Sequence, residues 1–314
     1  MKLRNNTITA ISVALLAASA AGCRFTAPDP GKDDTPTSGR VLVLADADCR
    51  PVIDQELLVF SALYPKAEVQ VRYMDEADLV KAMLNDSVRC VITSVAPGAD
   101  QLAYFKKRQL SAPEVPIYKA GIAVVVNRNS PLQRLSVDQV AALLGKTGTL
   151  QVTTDAERPL GLDSLTALFA GTGSGVARLL ADSLGIKAMR ARALADVPAV
   201  VDQVARDARA IGFLPFEAIS DLDNPAMKAL REQVRLLPIS KAPGKPPVLP
   251  SQSSLADGSY PLARTVSMLL TEGKSGLGTG FVSFVANHKG QRIILKLGVA
   301  PITVPPRNVE IVHQ

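Results

Sequence analysis

Between the apolar run Leu165-Thr166-Ala167-Leu168-Phe169-Ala170 and the segment Val176-Ala177-Arg178 stand Gly171-Thr172-Gly173-Ser174-Gly175. The pattern reads as a buried strand, a glycine loop and the first turn of a helix, a geometry suited to holding an anion. Glycines let the backbone approach a ligand closely, and the amides that open a helix have no intrahelical partners. Thr172 and Ser174 add hydroxyl donors. Such a corner is also compatible with an ordinary strand-to-helix turn, so the rest of the chain has to decide between the two.

Other chemistry is poorly supported. Gly145-Lys146-Thr147 and Gly273-Lys274-Ser275 look like the end of a nucleotide P-loop, but Val140 and Met268 stand where its first glycine belongs. Gly145 also follows a helical pattern and reads as its cap. The corner at 171–175 is not a dinucleotide fingerprint, because Val176 takes the third glycine's place, nor a nucleophile elbow, because Thr172 and Val176 flank Ser174 at two residues' distance. The two histidines, His288 and His313, are expected to face solvent, and with no Cys/His cluster neither a metal site nor a histidine-based triad is expected. The carboxylate pairs Asp33-Asp34, Asp46/Asp48 and Asp221/Asp223 fall in linker or turn positions and are expected to be solvated, leaving no acid–base pair. No enzyme and no cofactor are expected.

The elements that would position the corner belong to a chain of 314 residues, 47% hydrophobic, enough for one large or two medium domains. Lys2 and Arg4 precede an apolar, uncharged run from Ile8 to Ala21, too short for a permanent span and suited to a signal peptide. It ends in Ser19-Ala20-Ala21-Gly22-Cys23, small residues before a cysteine that resemble the bacterial lipoprotein signal, in which the cysteine is lipidated. The expectation is a leader at 1–22, a lipid anchor at Cys23 and a flexible polar linker at 23–39. The formal net charge is +6, mild enough to favour anions without requiring nucleic acid. Aromatic content is 4%, and no basic run alternates with aromatics, so the stacking platforms of single-strand binders are missing. Cys49 should follow the first strand while Cys90 begins a neighbouring one, near opposite ends of a parallel sheet, which argues against a disulfide between them.

Along the chain, strands are expected at Val41–Ala45, Val69–Tyr73, Cys90–Ser94, Tyr118–Asn127, Leu165–Ala170, Ala210–Pro215 and Ala263–Thr271. Helices are expected from Pro51 to Leu63, Glu76 to Asn85, Val137 to Leu144, Gly175 to Leu184 and Val197 to Arg209, with a closing helix over Phe281–Asn287 and Gln291–Leu297. Lys146 to Leu162 reads as loop with one extra strand at Leu150–Thr153, and Lys241 to Ser259 as a long surface connection. Strands alternating with helices of this length imply parallel α/β architecture.

Several blocks, in order, resemble the phosphate-binding lipoproteins of ABC importers within the periplasmic binding-protein family. Asp48-Cys49-Arg50-Pro51-Val52-Ile53 through Phe60 and Tyr64-Pro65 looks like that family's first strand-to-helix passage, and Thr93-Ser94 like its second ligand loop. Gly121-Ile122-Ala123-Val124-Val125-Val126-Asn127 with Leu135-Ser136 looks like the passage into a second lobe. Gly173-Ser174-Gly175 is similar to the Gly-Ser-Gly-Thr phosphate loop, Ala210-Ile211-Gly212-Phe213 to the strand that follows, and Tyr260-Pro261-Leu262-Ala263-Arg264 to the return crossing. Phe281-Val282-Ser283-Phe284, Gly290-Gln291 and Gly298-Val299-Ala300-Pro301 resemble the closing helix and tail.

The resemblance implies a two-lobed α/β fold, each lobe a mostly parallel sheet flanked by helices, joined by two crossing segments that close on ligand like a hinge. Residues 40–120 plus 260–314 would form the first lobe and 121–259 the second. Carried over, the ligand-binding residues would be Asp48 and Cys49, mainly through backbone amides, then Thr93, Ser94, Thr172, Gly173, Ser174 and Gly175. The family's aspartate after the second loop and its arginine before the Gly-Ser-Gly loop are replaced by Val95 and Ala170, leaving Asp48 or Arg178 to supply the missing charge. The implied function is a monomeric, lipid-anchored, extracytoplasmic binding protein that passes an oxyanion, phosphate first among them, to ABC permease subunits. The alternative is a sensor or surface interaction protein that keeps the fold without tight anion binding.

Overall fold

The computed structural model describes residues 34–83, 88–95, 97–107, 113–145, 151–153, 159–161, 164–270 and 275–304. The leader, Cys23, Asp33, Lys274 and His313 lie outside the described residues. Eight strands form the main path: β1 (Gly39–Asp46), β2 (Ala67–Met74), β3 (Cys90–Thr93), β4 (Glu114–Asn127), β5 (Thr166–Ala170), β6 (Arg192–Leu194), β7 (Ala210–Pro215) and β8 (Ala263–Leu270). Their spatial order is β2-β1-β3-β8-β4-β7-β5-β6, with the short strands Val234–Leu236 and Ala300–Pro301 also pairing on β4. The helices that matter for the cleft and cores are α1 (Arg50–Leu63), α2 (Glu76–Met83), α3 (Gly175–Ser183), α4 (Val197–Arg206), α5 (Leu277–Ala286) and α6 (His288–Lys296).

The fold is two-lobed α/β. On one side β1 pairs in parallel with β2 and β3; on the other β7 pairs in parallel with β5, and β5 with β6. The strands between them, β3-β8, β8-β4 and β4-β7, pair antiparallel. The 14-residue β4 is the bridge: Glu114 to Gly121 face β8, and Ile122 to Val126 face β7. A continuous run of buried apolar residues, Ala120 to Val126, is what a strand covered on both faces requires. Tyr260, at the return crossing, donates its hydroxyl to the Ile122 carbonyl at 2.6 Å and so ties the two crossings together.

Each lobe has its own aromatic anchor. Phe60 of α1 packs against Phe281 and Phe284 of α5, both at 5.2 Å, while Phe169 of β5 stacks on Phe213 of β7 at 5.1 Å. Edge-to-face and offset stacked contacts at this spacing add to the area they bury. Gln291, fully buried on α6, donates to the carbonyls of Ile117 and Val285, fastening the C-terminal helices beneath β4.

Three expectations shift. The closing helix starts earlier, at Leu277, with its first amide accepted by the Asp34 carboxylate, and breaks at Asn287, whose side chain accepts the His288 amide that opens α6. The connection 241–259 holds a short helix, Gln252–Ala256, because Ser251 and Ser254 form a reciprocal capping box. Serines that read as loop by composition are here capping residues. The helix at 197 stops at Arg206, where the chain turns into β7. Cys90 opens β3 opposite Val43 of β1, Cys49 lies past the end of β1, and both are buried and outside any disulfide.

Candidate functional site

In a twisted α/β sheet the strand ends that run into helices converge on one crevice. Here Asp46 ends β1, Asp75 and Glu76 follow β2, Thr93 and Ser94 close β3, Gly171 follows β5, and Glu217 lies in the 3-10 turn Phe216–Ala218 after β7. At the centre sits Arg264, the second residue of β8, with a side chain 1% exposed. Its position shares the inward phase of Val266 and Met268, which is what turns the guanidinium into the molecule.

Arg264 joins both lobes. Its Nη2 donates to Glu217 Oε1 at 2.6 Å and its Nη1 to Ser94 Oγ at 3.1 Å, with the carboxylates of Asp48 at 3.8 Å and Asp46 at 4.0 Å. Tyr118 adds a hydroxyl to Glu217 at 3.3 Å. Burial alone would pull the guanidinium down, but the surrounding carboxylates, Glu217 foremost, hold it well above its ordinary range. Burial raises Glu217 and Asp48 against the opposing pull of Arg264. It pushes Asp46 up to about 8, helped by the like charge of Asp48. A buried carboxylate that cannot be fully compensated keeps its proton instead.

Opposite this group stands the glycine corner. Ser174 caps α3 by accepting the Ala177 amide, which leaves the Val176 amide aimed across the cleft. That amide donates to Asp48 Oδ2 at 3.0 Å. The glycines are shaped by the same approach: a Cβ on Gly175 would overlap the Asp46 carboxylate, and one on Gly173 that of Asp75. Gly171 differs, with open space where its Cβ would be and φ +78 in the turn itself.

The predicted residues fall into three groups. Asp48 and Ser94 both face Arg264, Gly175 lies against Asp46 and Gly173 against Asp75, and Ser174 caps the helix whose Val176 amide reaches Asp48. Thr93 is buried beside them with its hydroxyl given to Glu76 at 2.6 Å, and Cys49 is fully buried, its thiol pushed up by burial and next to Tyr118; the Asp48 amide is held by Asp46 Oδ1 at 3.2 Å. Thr172 is exposed, and Arg178, its side chain 38% exposed, pairs at 3.7 Å with Asp182 one turn on. The expectation of solvated turn carboxylates is corrected for Asp46 and Asp48, whose side chains are 2% and 11% exposed. The helix-opening turn that suggested solvent is instead covered by the facing lobe.

Sequence reading missed Arg264, Glu217, Asp75 and Glu76. A period-2 count along β8 would have found Arg264, because an arginine in phase with buried Val266 and Met268 needs a buried partner. Glu217 carries no comparable signal beyond its apolar neighbours.

Beside this point opens a cavity of about 480 Å³, bordered by Asp48, Asp75 and Ser174 on one side and by Val197, Pro215, Met227 and Leu230 on the other. That size and mixed lining are those of a small-molecule site. Among the described residues no group of three or more His, Cys, Asp or Glu side chains is arranged to hold a metal ion, and no helix is long and apolar enough to cross a membrane.

Solved structures share this architecture. A protein assigned as a phosphate ABC transporter substrate-binding protein with bound phosphate, from Clostridium perfringens, superposes with TM-score 0.66 at 16% identity, over 84% of this chain and 100% of that one. An ABC-type phosphate transport receptor from Vibrio cholerae gives TM-score 0.66 at 13% identity, over 84% and 100%. The regulatory domain of CcmR from Synechocystis in complex with 2-PG gives TM-score 0.51 at 16% identity, over 79% and 96%. At such identities the likeness establishes the fold. No curated protein matches the chain. The family model described as a PBP superfamily domain matches residues 30–289, and the chain belongs to that superfamily.

Proposed function

We propose that the protein is an extracytoplasmic, non-enzymatic solute-binding protein that captures an oxyanion between two lobes, 40–120 plus 260–314 and 121–259, with phosphate the first ligand to test. The carrying observation is the seat at the head of α3, where the Val176 amide holds one carboxylate oxygen 3.0 Å away with Arg264 at 3.8 Å from the same atom. A helix-opening amide, a buried guanidinium and the Ser94 and Ser174 hydroxyls are donors that suit a tetrahedral oxyanion. Arg264 supplies the cation that Ala170 does not. A lipid at Cys23 and delivery to ABC permease subunits complete this reading, with the chain acting as a monomer.

A second reading is favoured by the occupant of the seat. Since Asp48 satisfies the helix amide from within, the fold can close without ligand, as a sensor or surface interaction protein would require. The 2-PG-bound regulatory domain that shares the fold makes this reading concrete. Titration calorimetry with phosphate, sulfate and molybdate separates the two. Saturable heat with an oxyanion is expected; no heat with any of them removes the capture function and leaves the second reading.

A further inference from the structure

We infer that Asp48 is a resident anion in the oxyanion seat, bridging the lobes in the unliganded protein and competing with any incoming ligand. The inference deepens the oxyanion-capture reading by naming what controls the site, but its central contact stands on the geometry alone. Val176 is the second residue of α3, so its amide has no carbonyl within the helix to bind. Ser174 Oγ serves Ala177, and Val176 donates to the Asp48 carboxylate of the other wall. That carboxylate oxygen also faces Arg264 Nη1 at 3.8 Å. One oxygen therefore meets the helix head and the buried cation together, as a bound oxyanion's oxygen would.

The surroundings are shaped for that visit. Gly175 and Gly173 have no room for a Cβ because Asp46 and Asp75 lean in beside Asp48. Two other donors nearby are also engaged, since Thr93 donates to Glu76 and the inner face of Arg264 to Glu217, while Ser94 accepts from Arg264 and keeps its own proton to give. An oxyanion entering this arrangement finds carboxylates already on the Val176 amide and on Arg264. Displacing Asp48 frees the Val176 amide and the outer face of Arg264 in one movement. The affinity read in solution is thus the seat's own affinity reduced by the competition of a tethered carboxylate at high local concentration.

The test uses the full chain and two variants, Asp48→Ala and the isosteric Asp48→Asn, with inorganic phosphate as the probe. In the ligand-free wild type the Val176 amide should exchange its hydrogen slowly, and in Asp48→Ala about tenfold faster or more, because a charge-assisted acceptor is gone. Phosphate should bind both variants about tenfold tighter than wild type or better, since the competitor has been removed. Unchanged exchange at Val176 in Asp48→Ala overturns the inference, and so does equal or weaker phosphate binding by Asp48→Asn, whose side chain keeps the shape. If no oxyanion binds wild type or variants, the capture reading fails by itself, and exchange at Val176 still decides whether Asp48 holds the seat.

Discussion

The wall of the cleft made by the ends of β1, β2 and β3 presents side-chain charge: Asp46, Asp48, Asp75 and Glu76, four carboxyl groups within two short turns. The facing wall, from Gly171 to Ala177, presents no ionisable side chain, only backbone amides, small residues and one capping hydroxyl. The first wall needs a cation and protons to exist, and it has Arg264 and a raised Asp46. The second needs only that nothing protrude from it. Polar chemistry on one wall is therefore bought with bulk denied to the other, and each wall fails in its own way when altered.

The largest effect should come from the charged wall's single buried cation. Arg264→Met removes the partner of Glu217, whose side chain is 0% exposed, and strips Asp46 and Asp48 of their counter-charge. Breaking a buried pair by deleting one member costs about 3–5 kcal/mol, because the remaining charge stays desolvated. Urea denaturation should report that loss, with Arg264→Lys recovering only part of it, since an ammonium cannot present two separated donors to Glu217 and Ser94. Wild-type stability in Arg264→Met would mean that the carboxyl groups are neutral throughout and the guanidinium dispensable.

On the uncharged wall, glycines in one loop should respond differently. Gly175→Ala inserts a methyl into the space of the Asp46 carboxylate, so either the lobes part or Asp46 moves, at about 1–3 kcal/mol. Gly171→Ala meets no atom within 4 Å and carries only the strain of φ +78, about 1–2 kcal/mol. A double-mutant cycle distinguishes them: Asp46→Ala should relieve the cost of Gly175→Ala and leave that of Gly171→Ala unchanged. Equal behaviour of the two glycines in the cycle would refute the cross-cleft origin of Gly175.

How much of this was legible in the sequence follows the same division. The glycine wall could be read directly, because a strand, a glycine loop and a capping serine are local patterns, and α3 starts where Ser174 predicts. Most of the strand and helix order was legible for the same reason, since periodicity and caps are set by near neighbours, but the helices Ala99–Lys107 and Pro225–Gln233 and the short strand β6 were not. The charged wall was not. Asp46 and Asp48 occupy a turn by sequence, and their burial comes from a lobe whose nearest contact lies 128 residues away, Val176 to Asp48. In the sequence Arg264 belongs to a crossing segment, yet its role depends on Glu217, 47 residues earlier. Long-range pairing of this kind leaves no local mark, apart from an inward-phased arginine in an apolar strand.

The smallest effect is the pH response of the charged wall. Asp46 is faced by Asp48 from its own turn, by Glu76 from the start of α2 and by Arg264 from β8, and its carboxyl is pushed up from 3.8 to about 8 by burial first and Asp48 next. A raised folded pKa means that the folded state holds a proton the unfolded chain has released. Stability from this group is then fully present below about pH 4 and is lost as pH rises through about 8. For one proton the slope is at most about 1.4 kcal/mol per pH unit, so the loss between pH 6.5 and 7.5 should be about 1 kcal/mol. Asp46→Asn, which cannot ionise, should flatten that part of the curve while keeping the shape that Gly175 accommodates. An identical slope in wild type and Asp46→Asn across this window would show that Arg264 already holds Asp46 ionised, and would place the crevice's proton on Asp48, Glu76 or Glu217, whose carboxyls burial also raises.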